Sequence, residues 1–303
     1  MDDVIVVDGL RKDYGSVQAV AGLTFTVRRG EVFALLGPNG AGKTTTVEIL
    51  EGHRDRSSGS VSVLGFDPAT GGREYRERIG IVLQDAGFDE EFTVRELVAL
   101  YASLYPSRRD PDEVIDLVGL ADKSGARTKT LSGGQRRRLD LALGLVGDPE
   151  VLFLDEPTTG FDPTARRRAW DLIRSLRDAG TTILLTTHYM EEAESLADRA
   201  ALIVAGRLVV MGTPASLIAG ETAGVIAFTL PPGVVADELP AFAGFTRVDG
   251  LAAVVETAEP TADLLALTTW AVARSVELPD LTLSRPTLED VYLRLTGGVG
   301  GDS

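Results

Sequence analysis

Val32-Phe33-Ala34-Leu35-Leu36-Gly37-Pro38-Asn39-Gly40-Ala41-Gly42-Lys43-Thr44-Thr45 is the stretch on which the reading of this chain turns. Five apolar residues without alternation fit a parallel strand covered on both faces. The glycines that follow let backbone N–H groups turn inward around an anion, and a helix opening at Lys43 adds its partial positive charge. Lys43 is then placed to reach the β and γ phosphates of a nucleotide, and Thr44 to offer a hydroxyl to Mg²⁺. A flexible glycine-rich turn would account for the glycines but not for Lys-Thr at this offset. The expected nucleotide-binding residues are Gly37, Pro38, Asn39, Gly40, Ala41, Gly42, Lys43, Thr44 and Thr45.

Outward from this stretch the elements alternate. Val151-Leu152-Phe153-Leu154 and Thr182-Ile183-Leu184-Leu185 are further unbroken apolar runs, again suited to buried parallel strands. Leu139, Ala142, Leu143, Val146 and Ala169, Leu172, Ile173, Leu176 recur at helical spacing. Strands alternating with helices predict an α/β parallel sheet. Leu23 to Val27 and Ser60 to Val63 alternate instead, which fits a half-exposed antiparallel sheet. The stretch from about Phe88 to Lys129 carries helical patterns and no strand, so it reads as a helical insertion.

From about Glu221 the texture changes. Pro231-Pro232-Gly233 separates strand-like runs at Ile226 to Leu230 and Leu251 to Val255, and helical patterns follow through Leu264, Leu267, Ala271 and through Leu288, Val291, Tyr292, Leu295. Residues 221 to 303 hold 12 acidic against 4 basic residues, a net of −8, and read as a small acidic α+β domain.

Two further stretches carry chemistry. The buried run ending at Leu154 delivers Asp155 and Glu156 to a strand's C-terminal end, where α/β sheets bind ligands. Asp155 is expected to hold Mg²⁺ and Glu156 to face the water that attacks a γ-phosphate. Leu131-Ser132-Gly133-Gly134-Gln135 lies directly ahead of a helix, so Ser132 can cap it and the glycines expose a second set of anion-binding donors. Two phosphate-binding helix starts but one Lys-Thr loop are economically explained by a site shared between two chains.

With these motifs in place, the chain resembles the ATP-binding subunit of ABC transporters over residues 4 to 220. The resemblance implies a P-loop NTPase cassette of α/β class, with an antiparallel β subdomain, a helical subdomain at about 88–145, and the appended domain at 221–303. It implies ATP and Mg²⁺ as ligands and hydrolysis of ATP, with Glu156, His188 and Lys43 as catalytic residues. Tyr14 matches the family's adenine-stacking aromatic, and Gln84, after Ile81-Val82-Leu83, its Mg²⁺-contacting glutamine. His188, after the Thr182 run, matches the histidine that contacts the γ-phosphate. Ser132, Gly133, Gly134, Gln135 and Asp162 fall where the family contacts the partner's nucleotide across an ATP-dependent, head-to-tail dimer. Phe161 stands where that family usually has Leu.

Composition bounds the rest. The 303 residues contain no cysteine, which removes thiol redox chemistry and thiolate metal clusters. A formal charge of −15 argues against a bare nucleic-acid binder. No stretch approaches the ~20 apolar residues of a membrane span, and Met1-Asp2-Asp3-Val4 does not open a signal peptide. The expectation is therefore a peripheral subunit at the cytoplasmic face of the membrane, held by an integral membrane permease near Gln84. Phe88, Phe92, Tyr101 and Tyr105 are open between core positions and a partner-facing patch. Arg285 to Gly297 is similar to the tail of daunorubicin-type drug-resistance exporters, with Thr287 and Asp290 at capping-box spacing. This favours export of a drug-like or lipid-like substrate, with an importer ATPase or a soluble, dimerising ABC ATPase as the alternatives.

Overall fold

The computed structural model describes residues 2–82, 87, 91–218 and 224–297. It divides into two compact units, Met1–Pro214 and Ala215–Ser303, a cut slightly ahead of the boundary expected at residue 220.

The first unit opens with β1 (Asp3–Tyr14), β2 (Val17–Arg28) and β3 (Val32–Leu36), then α1 (Lys43–Leu50), β4 (Ser58–Val63), α2 (Gly72–Glu77) and β5 (Ile79–Val82). The helical insertion follows as α3 (Val94–Ala102) and α4 (Pro111–Leu117), and leads into α5 (Gly133–Leu145). The chain then alternates through β6 (Val151–Asp155), α6 (Pro163–Asp178), β7 (Thr182–Thr187), α7 (Met190–Leu196), β8 (Arg199–Val204) and β9 (Arg207–Gly212). The short α8 (Pro214–Ile218) spans the cut.

Six strands form one sheet in the order β5-β6-β7-β3-β8-β9, parallel except for the last pair. β3, β6 and β7 are buried at every residue, as their unbroken apolar runs require. The antiparallel sheet has the order β2-β1-β4. Its inward residues share a core with the large sheet, and the Phe25 and Phe33 rings stack there at 5.4 Å with planes 7° apart. Burial of each such ring is worth about 2–3 kcal/mol.

Strand ends in this order set the site. The C-terminal ends of β3, β6 and β7 lie side by side, so the loops that leave Leu36, Asp155 and Thr187 open on one edge of the sheet.

No strand interrupts the insertion among its described residues. Thr93 and Glu96 close a capping box on α3, and Asp110 caps α4 ahead of Pro111. Phe92 and Tyr105 are half-buried, whereas Tyr101 reaches the surface; Phe88 and Gln84 lie outside the described residues.

The second unit contains β10 (Gly224–Thr229), β11 (Phe245–Asp249), β12 (Ala252–Thr257), α9 (Pro260–Arg274), β13 (Thr282–Ser284) and α10 (Leu288–Gly297). Its sheet has the order β11-β12-β10-β13, all antiparallel, around a core of Ile226, Phe228, Val255 and Leu267. Two of these four strands, β11 and β13, correct the sequence reading, which contained only the other two. Both are edge strands; β11 intersperses Arg and Asp with its apolar residues, and β13 is three residues long, so neither carries an apolar run. The capping box at Thr287 forms: Thr287 N donates to Asp290 Oδ2 at 2.8 Å and Asp290 N to Thr287 Oγ1 at 3.3 Å.

Candidate functional site

The phosphate loop joins β3 to α1 through Gly37 at φ 153°, Gly40 at φ 79° and Gly42 at φ 100°. Gly42 is the N-cap of α1 and makes no side-chain cap, so the first-turn N–H groups of the helix point into the loop. A Cβ at Gly42 would stand 2.4 Å from the Ala19 carbonyl oxygen, which leaves room for glycine alone. Lys43 is buried, and its Nζ donates to the carbonyls of Gly37 at 2.7 Å and Pro38 at 3.1 Å. Burial lowers the Lys43 pKa, while Glu156 and Asp155 act to raise it.

A cavity of about 430 Å³ opens over this loop, lined by loop residues between Asn39 and Thr45 together with Glu156. Thr44 Oγ1 lies 3.4 Å from Asp155 Oδ2, and Asp155 Oδ1 accepts a hydrogen bond from Thr186 Oγ1. A hydroxyl and a carboxylate oxygen are hard donors of the kind Mg²⁺ takes alongside phosphate oxygens and water. Among the described residues no cluster of three or more His, Cys, Asp or Glu forms a cage for a metal. The donor set therefore fits an ion shared with a nucleotide, not one the protein holds by itself.

Glu156 follows β6 in the left-handed region at φ 49°. Its Oε1 is 3.1 Å from His188 Nδ1, and its Oε2 accepts from Thr159 Oγ1 at 3.1 Å. This contact sets the imidazole edge against the carboxylate at the ends of two neighbouring strands. The His188 ring rests on Tyr189 at 4.1 Å, and the Arg166 guanidinium lies 4.6 Å above the other ring of that pair, Tyr189.

Ser132, Gly133, Gly134, Gln135, Asp162 and Tyr14 are not among the residues lining this cavity. Ser132 caps α5 in a reciprocal box with Gln135: Ser132 N donates to Gln135 Oε1 at 2.9 Å, and Gln135 N to Ser132 Oγ at 3.4 Å. Gly133 and Gly134 form the first turn. Asp162 caps α6 through Thr164 N and Ala165 N, both at 2.9 Å, so its carboxylate already has a structural task. Tyr14 ends β1, is 41% exposed, and has Lys12 Nζ 5.1 Å and the Arg54 guanidinium 5.4 Å from its ring.

A family model described as ABC transporter matches residues 20–159, and one described as the C-terminal domain of ABC transporter domain-containing protein-like chains matches residues 224–287. The daunorubicin resistance ATP-binding protein DrrA3 of Streptomyces coeruleorubidus is 39% identical over 318 residues, covering 98% of this chain and 96% of the relative. The chain belongs to the ABC transporter ATP-binding proteins. A second relative of this ABC ATPase, the Nod factor export ATP-binding protein I of Burkholderia orbicola, is 43% identical and covered to 95%, as is this chain. Among solved structures, cbiO1 from Clostridium perfringens, part of the ABC transporter complex cbiONQ, is 30% identical with a TM-score of 0.64, covering 72% of this chain and 92% of its own. The chain is thus an ATP-binding, ATP-hydrolysing subunit of an ABC transporter. Cassettes of this family dimerise and work with membrane permeases, and among the described residues no helix is long and apolar enough to cross a membrane.

Three residues of this ABC ATPase's site were missed by the sequence reading. Thr186 binds both Asp155 and the Glu156 N–H, the latter at 3.2 Å; Thr159 holds Glu156 Oε2; and Arg137 reaches the backbone behind Glu156. The signals were there in weak form. Thr186-Thr187 puts hydroxyls at the end of an apolar run, and Arg136-Arg137-Arg138 puts three charges in a row on a helix that must bury one face.

Proposed function

We propose that this chain powers export, coupling ATP hydrolysis to passage of a drug-like or lipid-like substrate through a separate integral membrane permease. Two relatives named for daunorubicin resistance and for Nod factor export, each aligned over nearly its whole length, support that direction. The observation that carries the chemistry is the shared cavity: the phosphate loop and Glu156 face the same space, with Glu156 oriented by His188.

In this reading the first-turn N–H groups of α1 and the Lys43 ammonium bind the phosphates, and Lys43 exchanges its two loop carbonyls for phosphate oxygens. Thr44 and Asp155 would hold Mg²⁺, joined by Gln84 on the family's pattern. Such an ion, when bound, would supply positive charge against the phosphates. Glu156 takes a proton from the attacking water, and His188 Nε2 faces the γ-phosphate. Tyr14 stacks on the adenine. Ser132, Gly133, Gly134, Gln135 and Asp162 complete the site of the partner subunit in an ATP-closed dimer. Residues 1–220 form the nucleotide-binding domain, with its helical subdomain at about 88–145, and residues 221–303 a separate C-terminal module. The protein sits peripherally at the cytoplasmic face through its permease.

The test is transport in inverted vesicles containing this chain and the permease encoded beside it. ATP-dependent uptake of an amphipathic drug, lost with Glu156→Gln, is the expected result. Efflux from the same vesicles would make the system an importer, and recovery of no membrane protein with the chain would end the transporter reading.

A further inference from the structure

Arg136, Arg137 and Arg138 stand in a row on α5, and at 100° per residue the middle one faces inward: Arg137 is only 9% exposed. Its guanidinium spans the turn that leaves β6. Nη2 donates to the carbonyl oxygens of Asp155 at 2.6 Å and Glu156 at 3.0 Å, and Nε to that of Pro157 at 3.4 Å. The planar fork of arginine suits such a set, which a lysine ammonium could meet only in part.

The residue in the middle of that turn is the one whose backbone needs support. Glu156 is left-handed at φ 49°, a conformation that costs a non-glycine residue of order 1 kcal/mol and persists where surroundings over-determine it. Its N–H is held by β7, donating to the carbonyl of Thr186 at 3.1 Å and to Thr186 Oγ1 at 3.2 Å. Its C=O is held by Arg137. One side of the strained residue is therefore fixed by the sheet and the other by α5.

The same helix begins with the Ser132 motif, capped by the Ser132–Gln135 box, two residues ahead of Arg137. α5 is seated on β5 by close approach: a Cβ at Gly144 would lie 2.7 Å from Val82 Cγ2, and one at Gly80 2.2 Å from the Gly144 carbonyl. The helix start and the guanidinium thus move as one piece.

We propose that Arg137 is a positioning residue for Glu156, and that through it engagement of the Ser132 motif at one nucleotide site sets the general base of the same chain's own site. This rests on the reading of Ser132 as a contact to the partner's nucleotide. A shift of α5 relaxes the Glu156 backbone and withdraws Oε1 from its place beside His188, and displacements near 1 Å cost about 10²-fold in rate.

Mixed dimers of the full chain test this, each protomer carrying its own tag. Glu156→Gln on one protomer silences that protomer's site, so one site reports. Arg137→Gln placed on the protomer that keeps Glu156 should lower turnover about 10- to 100-fold with KM for ATP within about threefold. The same change placed on the silenced protomer should leave turnover within about twofold of the reference dimer. Ser132→Ala on the protomer that keeps Glu156 should slow that protomer's own site, and should add nothing once Arg137 is Gln. Arg137→Lys keeps the buried charge and is carried through the same pairs, with ATP affinity reporting the folded fraction; an intermediate loss is expected. Equal losses from either protomer, or none, would overturn the proposal. A reference dimer that keeps the full wild-type rate would instead overturn the assignment of Glu156 as base.

Discussion

Nδ1 of His188 stands 3.1 Å from Oε1 of Glu156, joining the end of β7 to the end of β6 beside the phosphate loop. Glu156 in turn lines the cavity over the phosphate loop together with Lys43. Glu156→Gln keeps the shape of the side chain and loses its basicity. Turnover should fall roughly 10²- to 10⁴-fold while ATP binding and ATP-driven dimerisation persist. His188→Ala should lose a comparable factor with ATP affinity nearly unchanged, since the loop's own donors remain. Steady-state ATPase rates beside equilibrium binding of labelled ATP check both, and wild-type turnover in either variant would refute the roles given to the pair.

Thr186 ties the Asp155 carboxylate to the Glu156 backbone from the neighbouring strand, donating to Asp155 Oδ1 and accepting from Glu156 N at 3.2 Å. Valine fills the same volume without the hydroxyl and leaves a buried carboxylate oxygen without that donor. Thr186→Val should cost about 1–3 kcal/mol of stability. It should also cost about tenfold in turnover, since the Asp155 carboxylate and the Glu156 backbone N–H each lose a fixed partner. Thr186→Ser should restore most of each loss. Denaturant unfolding and ATPase assays on the three proteins separate these outcomes.

Glycine is required unequally along the phosphate loop. At Gly42 both φ and space exclude a side chain, whereas at Gly40, φ 79°, an added Cβ meets nothing within 4 Å. Gly40→Ala should cost about 1 kcal/mol, from backbone strain alone. Gly42→Ala should cost more and should weaken ATP binding at least about tenfold, because relief of the contact with Ala19 moves the first turn of α1. Isothermal binding of ATP to the two variants gives the comparison directly.

The residues of the phosphate loop and the Asp155-Glu156 pair were legible in the sequence because their signals are local. Val32 to Thr45 carries a buried strand, a glycine turn and a helix start in one stretch, and Asp155-Glu156 closes another apolar run. The residues that hold them were not. Thr186 meets Asp155 from 31 residues away across neighbouring strands, and Arg137 meets Glu156 from 19 out of α5, contacts that no single stretch displays. The same distinction runs through the fold. β1 and β2 are twelve residues each, but bulges break their alternation between Val7 and Leu10 and again near Asp13, so only the Leu23 to Val27 part of β2 read as a strand. β11 and β13 borrow their apolar face from neighbours across the sheet, which leaves little in their own residues to find.

Glu51 closes α1 and is 3% exposed; its Oε2 is 3.3 Å from His53 Nδ1 without the geometry of a hydrogen bond. Burial pushes its pKa from the ordinary 4.5 up to about 8, helped by the negative charges of Asp155 and Glu48. The folded protein therefore holds a proton that the unfolded chain gives up. This group's contribution to stability is complete below about pH 4.5 and is lost as pH rises through about 8. Glu51→Gln removes the titration while keeping shape and polarity. The variant should stay close to wild type at pH 5 and exceed it by on the order of 3 kcal/mol at pH 8, where wild type must bury an ionised carboxylate or take up a proton on folding. Urea unfolding at a series of pH values measures the gap; curves that stay parallel from pH 5 to pH 8 would show that Glu51 is ionised throughout.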